Sequence, residues 1–190
     1  QIRNMATAGG SLGTASPIGD LAPLLLAAGA MIEIRDLAGR RLLPLEAFFT
    51  GYRATALLPG EIITKVHLPI PGRRELLRAY KVSRRRDVDI SSLSAGFFLS
   101  LEKGMVKEAR LAYGGMDALP RRVEAAEEYL RGMPWTSEVA DAAAEIIRRS
   151  LSPITDVRAA ADIRSLVAGN LLRKFFAETS DENNSTGYAG

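Results

Sequence analysis

The apolar positions of this chain change period partway along it, and that change predicts its elements. Leu93, Ala95, Phe97, Leu99 and Leu101 alternate with Ser94, Gly96 and Ser100, the period of a strand with one apolar face. Glu102-Lys103-Gly104 predicts a tight turn, and Ala109, Leu111 and Tyr113 give the returning antiparallel strand its own apolar face. From Val123 to Arg131 the period is helical and stops at Gly132. A second helix is expected to start near Thr136-Ser137. A third is expected from Asp156 through Ile163, Leu166, Val167, Leu171 and Phe175. Strands followed by three helices predict an α+β fold, with the helices covering one face of a small antiparallel sheet.

The earlier part reads differently. Asp20 suits the N-cap of a short apolar helix, Leu21 to Ala28, with Pro23 in its first turn and Gly29 at its end. Met31 to Arg35 alternates as a strand, residues 37–40 turn, and Arg41-Leu42-Leu43 pairs back as a hairpin. Pro44 to Phe49 suits one helical turn, and Glu61 to Leu68 a further strand. Pro69, Pro71 and Gly72 then interrupt regular structure. The expected division is therefore residues 1–70, residues 71–180, and a polar, flexible tail at 181–190.

Composition narrows the chemistry. The 190 residues include no cysteine, so a disulfide framework, a thiolate metal site and an iron–sulfur cluster are excluded within this chain. A hydrophobic share of 47% without any apolar run near the roughly 20 residues of a membrane helix predicts a soluble chain with no membrane partner. No signal peptide is visible, which makes a cytoplasmic location the expectation. The start on Gln1, inside what reads as a motif, suggests a fragment of something longer. A net charge of +3 would suit an anionic partner, but the basic residues are dispersed apart from Arg84-Arg85-Arg86, so a solvated surface is expected and not a nucleic-acid site.

Three features carry candidate chemistry. Gly9 and Gly10 remove two Cβ atoms, so the backbone could take positive φ and let a flat or anionic ligand approach. Thr7 and Ser11 flank the pair with hydroxyls, and Asp20 could accept from a sugar hydroxyl. A plain glycine turn, with Asp20 serving only as helix cap, fits the spacing equally. Lys81 opens the charged run Ser83 to Asp89, either a solvated loop or one that places charge beside a redox ligand. Gly114-Gly115-Met116, at a strand end, is a close-approach or turn signal, and alone stays a turn. His67, the single histidine, reads as a structural or surface residue and not as a metal ligand.

The stretches QIRNMATAGG, ASPIGDLAP, FFTGYR, LLPGEIITKVHLP, YKVSRRRDVDIS, ARLAYGGM and SPITDVRAAADIRSLVAGNLLRKFF, in that order, resemble the FAD-binding domain of the molybdenum hydroxylases, most closely the small subunits of bacterial xanthine dehydrogenases. The resemblance implies the later part of an α/β FAD-binding subdomain up to about Pro69, followed by the family's C-terminal flavoprotein domain. It further implies that Thr7, Ala8, Gly9, Gly10 and Ser11 contact FAD through backbone and hydroxyl groups, that Asp20 is an acidic ligand, and that Ile63 is an apolar one. Lys81 would lie near the flavin ring and tune it. Ser11 stands where the family often has Asn.

By the same resemblance, electrons arrive from molybdopterin through [2Fe–2S] clusters held in other domains or subunits and leave to NAD, in an oxidation of hypoxanthine or xanthine to urate within purine catabolism. The implied partners are a molybdenum-cofactor-binding large subunit and an iron–sulfur domain, in a hetero-oligomer. A pyrophosphate-gripping segment is expected upstream. The rival readings are the flavin subunit of a carbon monoxide or aromatic-substrate dehydrogenase with another acceptor, and a non-catalytic binding or assembly module.

Overall fold

The structure is a computed structural model that describes residues 5–72, 74–85 and 89–185, with side chains described as far as Ser180. Its first unit opens with helix α1 (Ala8–Gly13) and helix α2 (Leu21–Ala27), then strands β1 (Met31–Arg35) and β2 (Arg40–Pro44). A 3-10 turn (Leu45–Ala47), the short pair β3 (Phe49–Gly51) and β4 (Ala54–Thr55), and strand β5 (Ile62–His67) complete it. Strands β1, β2 and β5 form an antiparallel sheet in the order β2-β1-β5. The β1–β2 turn is held by Asp36, whose carboxylate accepts the N–H groups of Ala38 and Gly39 at 2.8 Å each. Ile32 and Ile34 turn inward onto Leu12, Leu25, Leu26, Leu45 and Phe48.

The second unit is a four-stranded antiparallel sheet, β6 (Glu75–Val82), β7 (Leu93–Glu102), β8 (Met105–Gly114) and β9 (Arg121–Arg122), in chain order. Helices α3 (Glu124–Leu130), α4 (Ser137–Ser150) and α5 (Ala161–Ser185) follow. The β7–β8 connection falls within the turn expected at Glu102-Lys103-Gly104 and takes two residues, with Lys103 at φ 52° and Gly104 at φ 77° while Glu102 ends the strand. Thr136 caps α4 by accepting from the Val139 N–H. Leu93, Ala95, Phe97, Leu99 and Leu101 face the three helices, packing on Phe175, Leu172, Ile147 and Trp135. The α+β layer predicted from the periodicity is the one observed.

The opposite face of β7 is buried from Ser94 through Phe98, and it joins the two units. Phe98 and Ala112 belong to the first unit's core, with Leu25 and Leu26 of α2. Gly96 and Gly114 permit this approach: a Cβ on Gly96 would lie 2.4 Å from the Pro23 carbonyl oxygen, and one on Gly114 3.0 Å from the Pro23 ring. Arg110 on β8 donates its Nε–H to the Ala27 carbonyl at the end of α2 (2.6 Å) and lies 3.8 Å over the Phe98 ring. A cation is thus placed at a helix C-terminus, where the unsatisfied carbonyls favour it.

Two expectations are corrected. Helix α5 starts at Ala161, not Asp156, because the Asp156 carboxylate accepts the N–H groups of Arg158 (2.8 Å) and Ala159 (3.2 Å) and folds those residues into a turn. The same helix runs on to Ser185, into the segment expected to be a flexible tail from 181, since residues 180–185 contain neither glycine nor proline to stop it. Residues 186–190 of that expected tail lie outside the described residues, as do Gln1 to Asn4 and Arg86 of the basic triplet.

Candidate functional site

The glycine segment is helical. Thr7 is the N-cap of α1, with φ −122° and ψ 151°, and its hydroxyl accepts the Gly10 N–H at 2.9 Å. Among the described glycines that adopt positive φ, neither Gly9 nor Gly10 appears. The reading of this pair as a left-handed loop or turn is therefore corrected: a cap directly before it turns it into the first turn of a helix. Thr7, Ala8, Gly10 and Ser11 remain exposed on that turn. A Cβ on Gly9 would make ordinary contact with Ile63 at 3.6 Å, so α1 lies against β5 at that position. Two of the predicted residues, Gly9 and Ile63, are thereby neighbours.

After α1, Ala15 takes φ 45° with its methyl group buried, and the chain bends through Ser16-Pro17-Ile18-Gly19 to Asp20. Asp20 stands at the boundary of α2 but makes no side-chain capping bond there. Its role as helix cap is corrected by where the carboxylate goes. Oδ2 accepts from Lys81 Nζ at 2.8 Å, and Oδ1 accepts from the Ser91 hydroxyl in a short hydrogen bond. Both donors come from the second unit, and a charged donor outcompetes a neutral helix N–H. Sequence reading singled out Asp20 and Lys81 separately, 61 positions apart; the fold places them in contact.

Each of these side chains is 44% exposed, so the pair lies at the surface of the seam between the units. A carboxylate has about four lone-pair directions, and two hydrogen bonds leave acceptor capacity facing outward. That acceptor set fits a ligand bearing hydroxyl groups, which would donate to it. Ser91, by contrast, is 2% exposed. Sequence reasoning missed it, because a single serine ahead of a strand has no periodic signal.

Lys81 leads into the charged run. Arg85 and Asp89 pair within it, with the Arg85 N–H donating to Asp89 at 2.8 Å, and this backbone bond holds the Asp89 carboxyl below the usual carboxylate range. His67 is exposed, its Nε2 3.7 Å from Glu33 on the outer face of the first sheet.

A cavity of about 510 Å³ opens beside the bend at Ser16-Pro17-Ile18. Its walls include Tyr52 and Arg53 of the β3–β4 turn, Gly115, Ser152 and Arg158. Neither Asp20 nor Lys81 lines it. Gly115, at φ 80°, ties its walls together: its N–H donates to the Pro17 carbonyl (2.7 Å) and its carbonyl accepts from Arg164 (2.7 Å). Positive φ and a Cβ position 2.8 Å from the Ser92 carbonyl oxygen both require glycine here. Of the two readings of Gly114-Gly115, close approach and turn, the fold uses both. Arg164, 3% exposed, also bonds Asp156 at 2.6 Å, while its Nε is buried without a hydrogen-bond partner. Asp156 is desolvated, which raises its pKa, but the Arg158 N–H and the Arg164 guanidinium outweigh that and hold it at about 2.

The Gly9–Ile63 contact and the Asp20–Lys81–Ser91 cluster are where the residues expected to meet flavin come together, and comparisons with known proteins give the family. Residues 78–179 match the family described as the CO dehydrogenase flavoprotein C-terminal domain, and residues 1–71 the FAD binding domain in molybdopterin dehydrogenase. Nicotinate hydroxylase of Emericella nidulans is 41% identical over 143 residues, covering 73% of this chain and 11% of that protein. Xanthine dehydrogenase of Oryza sativa subsp. japonica is 32% identical, covering 99% of this chain and 14% of its own length. The nicotine 6-hydroxylase medium subunit of Paenarthrobacter nicotinovorans is 34% identical, covering 94% of this chain and 62% of its own. A carbon monoxide dehydrogenase structure from Hydrogenophaga pseudoflava superposes with a TM-score of 0.86 at 28% identity, over 92% of this chain and 60% of that one. The chain thus spans about one-seventh or less of the two long relatives and under two thirds of the subunit-sized ones.

Proposed function

Because the chain belongs to the FAD-binding flavoproteins of the molybdenum hydroxylases, matching their two domains over residues 1–71 and 78–179, we propose that it holds FAD in a xanthine dehydrogenase-like enzyme that delivers electrons to NAD. FAD, when bound, accepts electrons and releases them as hydride. The residues proposed to hold it are Thr7, Ala8, Gly9, Gly10 and Ser11 on the first turn of α1, Ile63 beside them, and Asp20 with Lys81 at the seam. The observation that carries this reading is the 2.8 Å contact between Lys81 and Asp20, two residues that the resemblance assigns to one cofactor. Asp20 offers acceptor oxygens to hydroxyl groups, and Lys81 a cation that favours the electron-rich form of a nearby redox ring.

The cavity supports NAD as acceptor. Arg53 among its walls presents a guanidinium group suited to phosphate, Ser16, Tyr52 and Ser152 present hydroxyls, and Arg158 stands beside them paired with Asp156 at 3.1 Å, with Asp117 also in the wall. It is open to the bend that leads to Asp20. Molybdopterin, [2Fe–2S] clusters and the large subunit belong, in this reading, to other domains or chains of a cytoplasmic hetero-oligomer, and hypoxanthine and xanthine are the proposed substrates.

The second reading is a flavin subunit of a carbon monoxide or aromatic-substrate dehydrogenase with another acceptor, favoured by the 34% identity to the nicotine 6-hydroxylase medium subunit over 94% of this chain. Steady-state assays of the complete enzyme with xanthine, carbon monoxide and nicotine, each against NAD and artificial dyes, separate the two. Xanthine-driven NADH formation supports the first reading. Turnover only with dyes overturns the NAD assignment, and purified protein without flavin absorbance overturns both.

A further inference from the structure

We propose that Ser91 is a positioning residue for the flavin site, acting through the Asp20 carboxylate; this rests on the reading of Asp20 as an FAD ligand. The backbone of Asp20 belongs to the bend before α2, in the first unit. Among the described residues, both partners of its side chain belong to the second. An aspartate at this boundary has a default alternative, which is to turn back and cap its own helix. The α2 N-terminus receives no such bond, so something holds the carboxylate away from it.

Of the two donors, Ser91 is the better suited to set that direction. The Lys81 ammonium sits on a flexible four-carbon stem and is 44% exposed, so its pull is screened and its geometry loose. The Ser91 hydroxyl has a single rotatable bond to its Cβ and is almost fully buried. Its backbone is rigid as well: the next residue, Ser92, donates its N–H to the Val82 carbonyl at 2.8 Å, where the β6–β7 pairing closes. The sheet of the second unit therefore fixes Oδ1 of an acid carried by the first. With Oδ1 on Ser91 and Oδ2 on Lys81, the remaining lone pairs of Asp20 face out of the seam, where a cofactor hydroxyl would be recognised. Without the Ser91 hydroxyl, rotation toward the N–H groups of α2 becomes available and that acceptor turns away.

The test is FAD titration of the deflavinated full-length protein, followed by flavin fluorescence. S91A is expected to raise the Kd for FAD about tenfold, the scale of one hydrogen bond to a charged group. S91T, which restores the hydroxyl, should return within about twofold of the parent. D20N should weaken binding at least as much, and S91A added to D20N should cost nothing further, because Ser91 acts only through that carboxylate. A fully additive loss in the double variant, or parental affinity in S91A while D20N is weakened, overturns the role of Ser91 and leaves Asp20 as a ligand. Parental affinity in D20N overturns the reading of Asp20 itself. Should S91A lose its native circular dichroism, S91C, with its weak donor, takes its place: an intermediate loss supports the proposal, and no loss overturns it.

Discussion

Gly96 lies directly against the Pro23 carbonyl, so close that a methyl group on it would sit 2.4 Å from that oxygen and 2.6 Å from the Leu24 Cα. Both obstacles are backbone, so neither can swing aside. Gly96→Ala must push α2 off the sheet, and the expected cost is about 3 kcal/mol or more, at the upper end for overpacking. Gly132→Ala is the control: its Cβ meets nothing within 4 Å, and only the φ of 77° opposes it, about 1–2 kcal/mol. Urea unfolding of the two variants should separate these values.

Lys81→Ala removes the cation beside Asp20. The flavin potential is expected to fall by about 30 mV, roughly tenfold in a two-electron equilibrium. On the proposed reading of a complete NAD-linked enzyme, NAD reduction should slow while substrate oxidation is unchanged. Spectroelectrochemistry and stopped-flow reduction measure the two; an unmoved potential with unchanged NAD kinetics removes Lys81 from the flavin site.

Glu127 is 3% exposed and accepts three bonds: from the Leu111 N–H (2.7 Å) and from Arg122 Nε (3.0 Å) and Nη2 (2.5 Å). Arg122 also reaches Glu46 of the first unit at 3.2 Å. Glu127→Ala leaves the buried Leu111 N–H without its partner and the Arg122 guanidinium with only the exposed Glu46, at an expected cost of about 3 kcal/mol. Glu46→Ala, at the exposed end of the same chain of charges, should cost under about 1 kcal/mol. Equal losses in thermal unfolding would contradict this ordering.

Acid should destabilise the fold in a defined window. Asp156 is held at about 2 against an ordinary 3.8, and Glu61 at about 2 against 4.5, the latter first by its hydrogen bond from Arg41 and then by the Leu58 N–H. A carboxyl depressed in the folded state contributes stability that is complete above its unfolded value and lost as pH falls through the folded one. The melting temperature should therefore hold above about pH 5 and decline between 4.5 and 2. Asp156→Asn should flatten part of that decline while lowering the plateau at neutral pH.

The legible and illegible parts of this sequence differ physically. The period-two apolar run of β7 predicted its strand, its turn and the helices above it, because side-chain alternation is a local consequence of the pleat. The same alternation hid the other face: Ser94 and Gly96 stand opposite the apolar residues with no signal of burial, whereas their small size admits α2. The pair β3–β4 escaped notice because strands of three and two residues are too short to alternate. Asp20 and Lys81 were legible through resemblance, but their contact was not, since 61 positions separate them and only the fold closes that distance. Thr7 was singled out as a ligand without its cap, although a threonine three residues before a helical N–H is what would have revealed α1.

Because α2 rests on β7 and β8, the apolar surface of each unit is completed by the other. The covalent seam between β5 and β6 is consequently not a thermodynamic one: heat should melt both units in a single transition, with equal calorimetric and van't Hoff enthalpies. A nick placed in that connection would yield two pieces that seek each other out, not two that part.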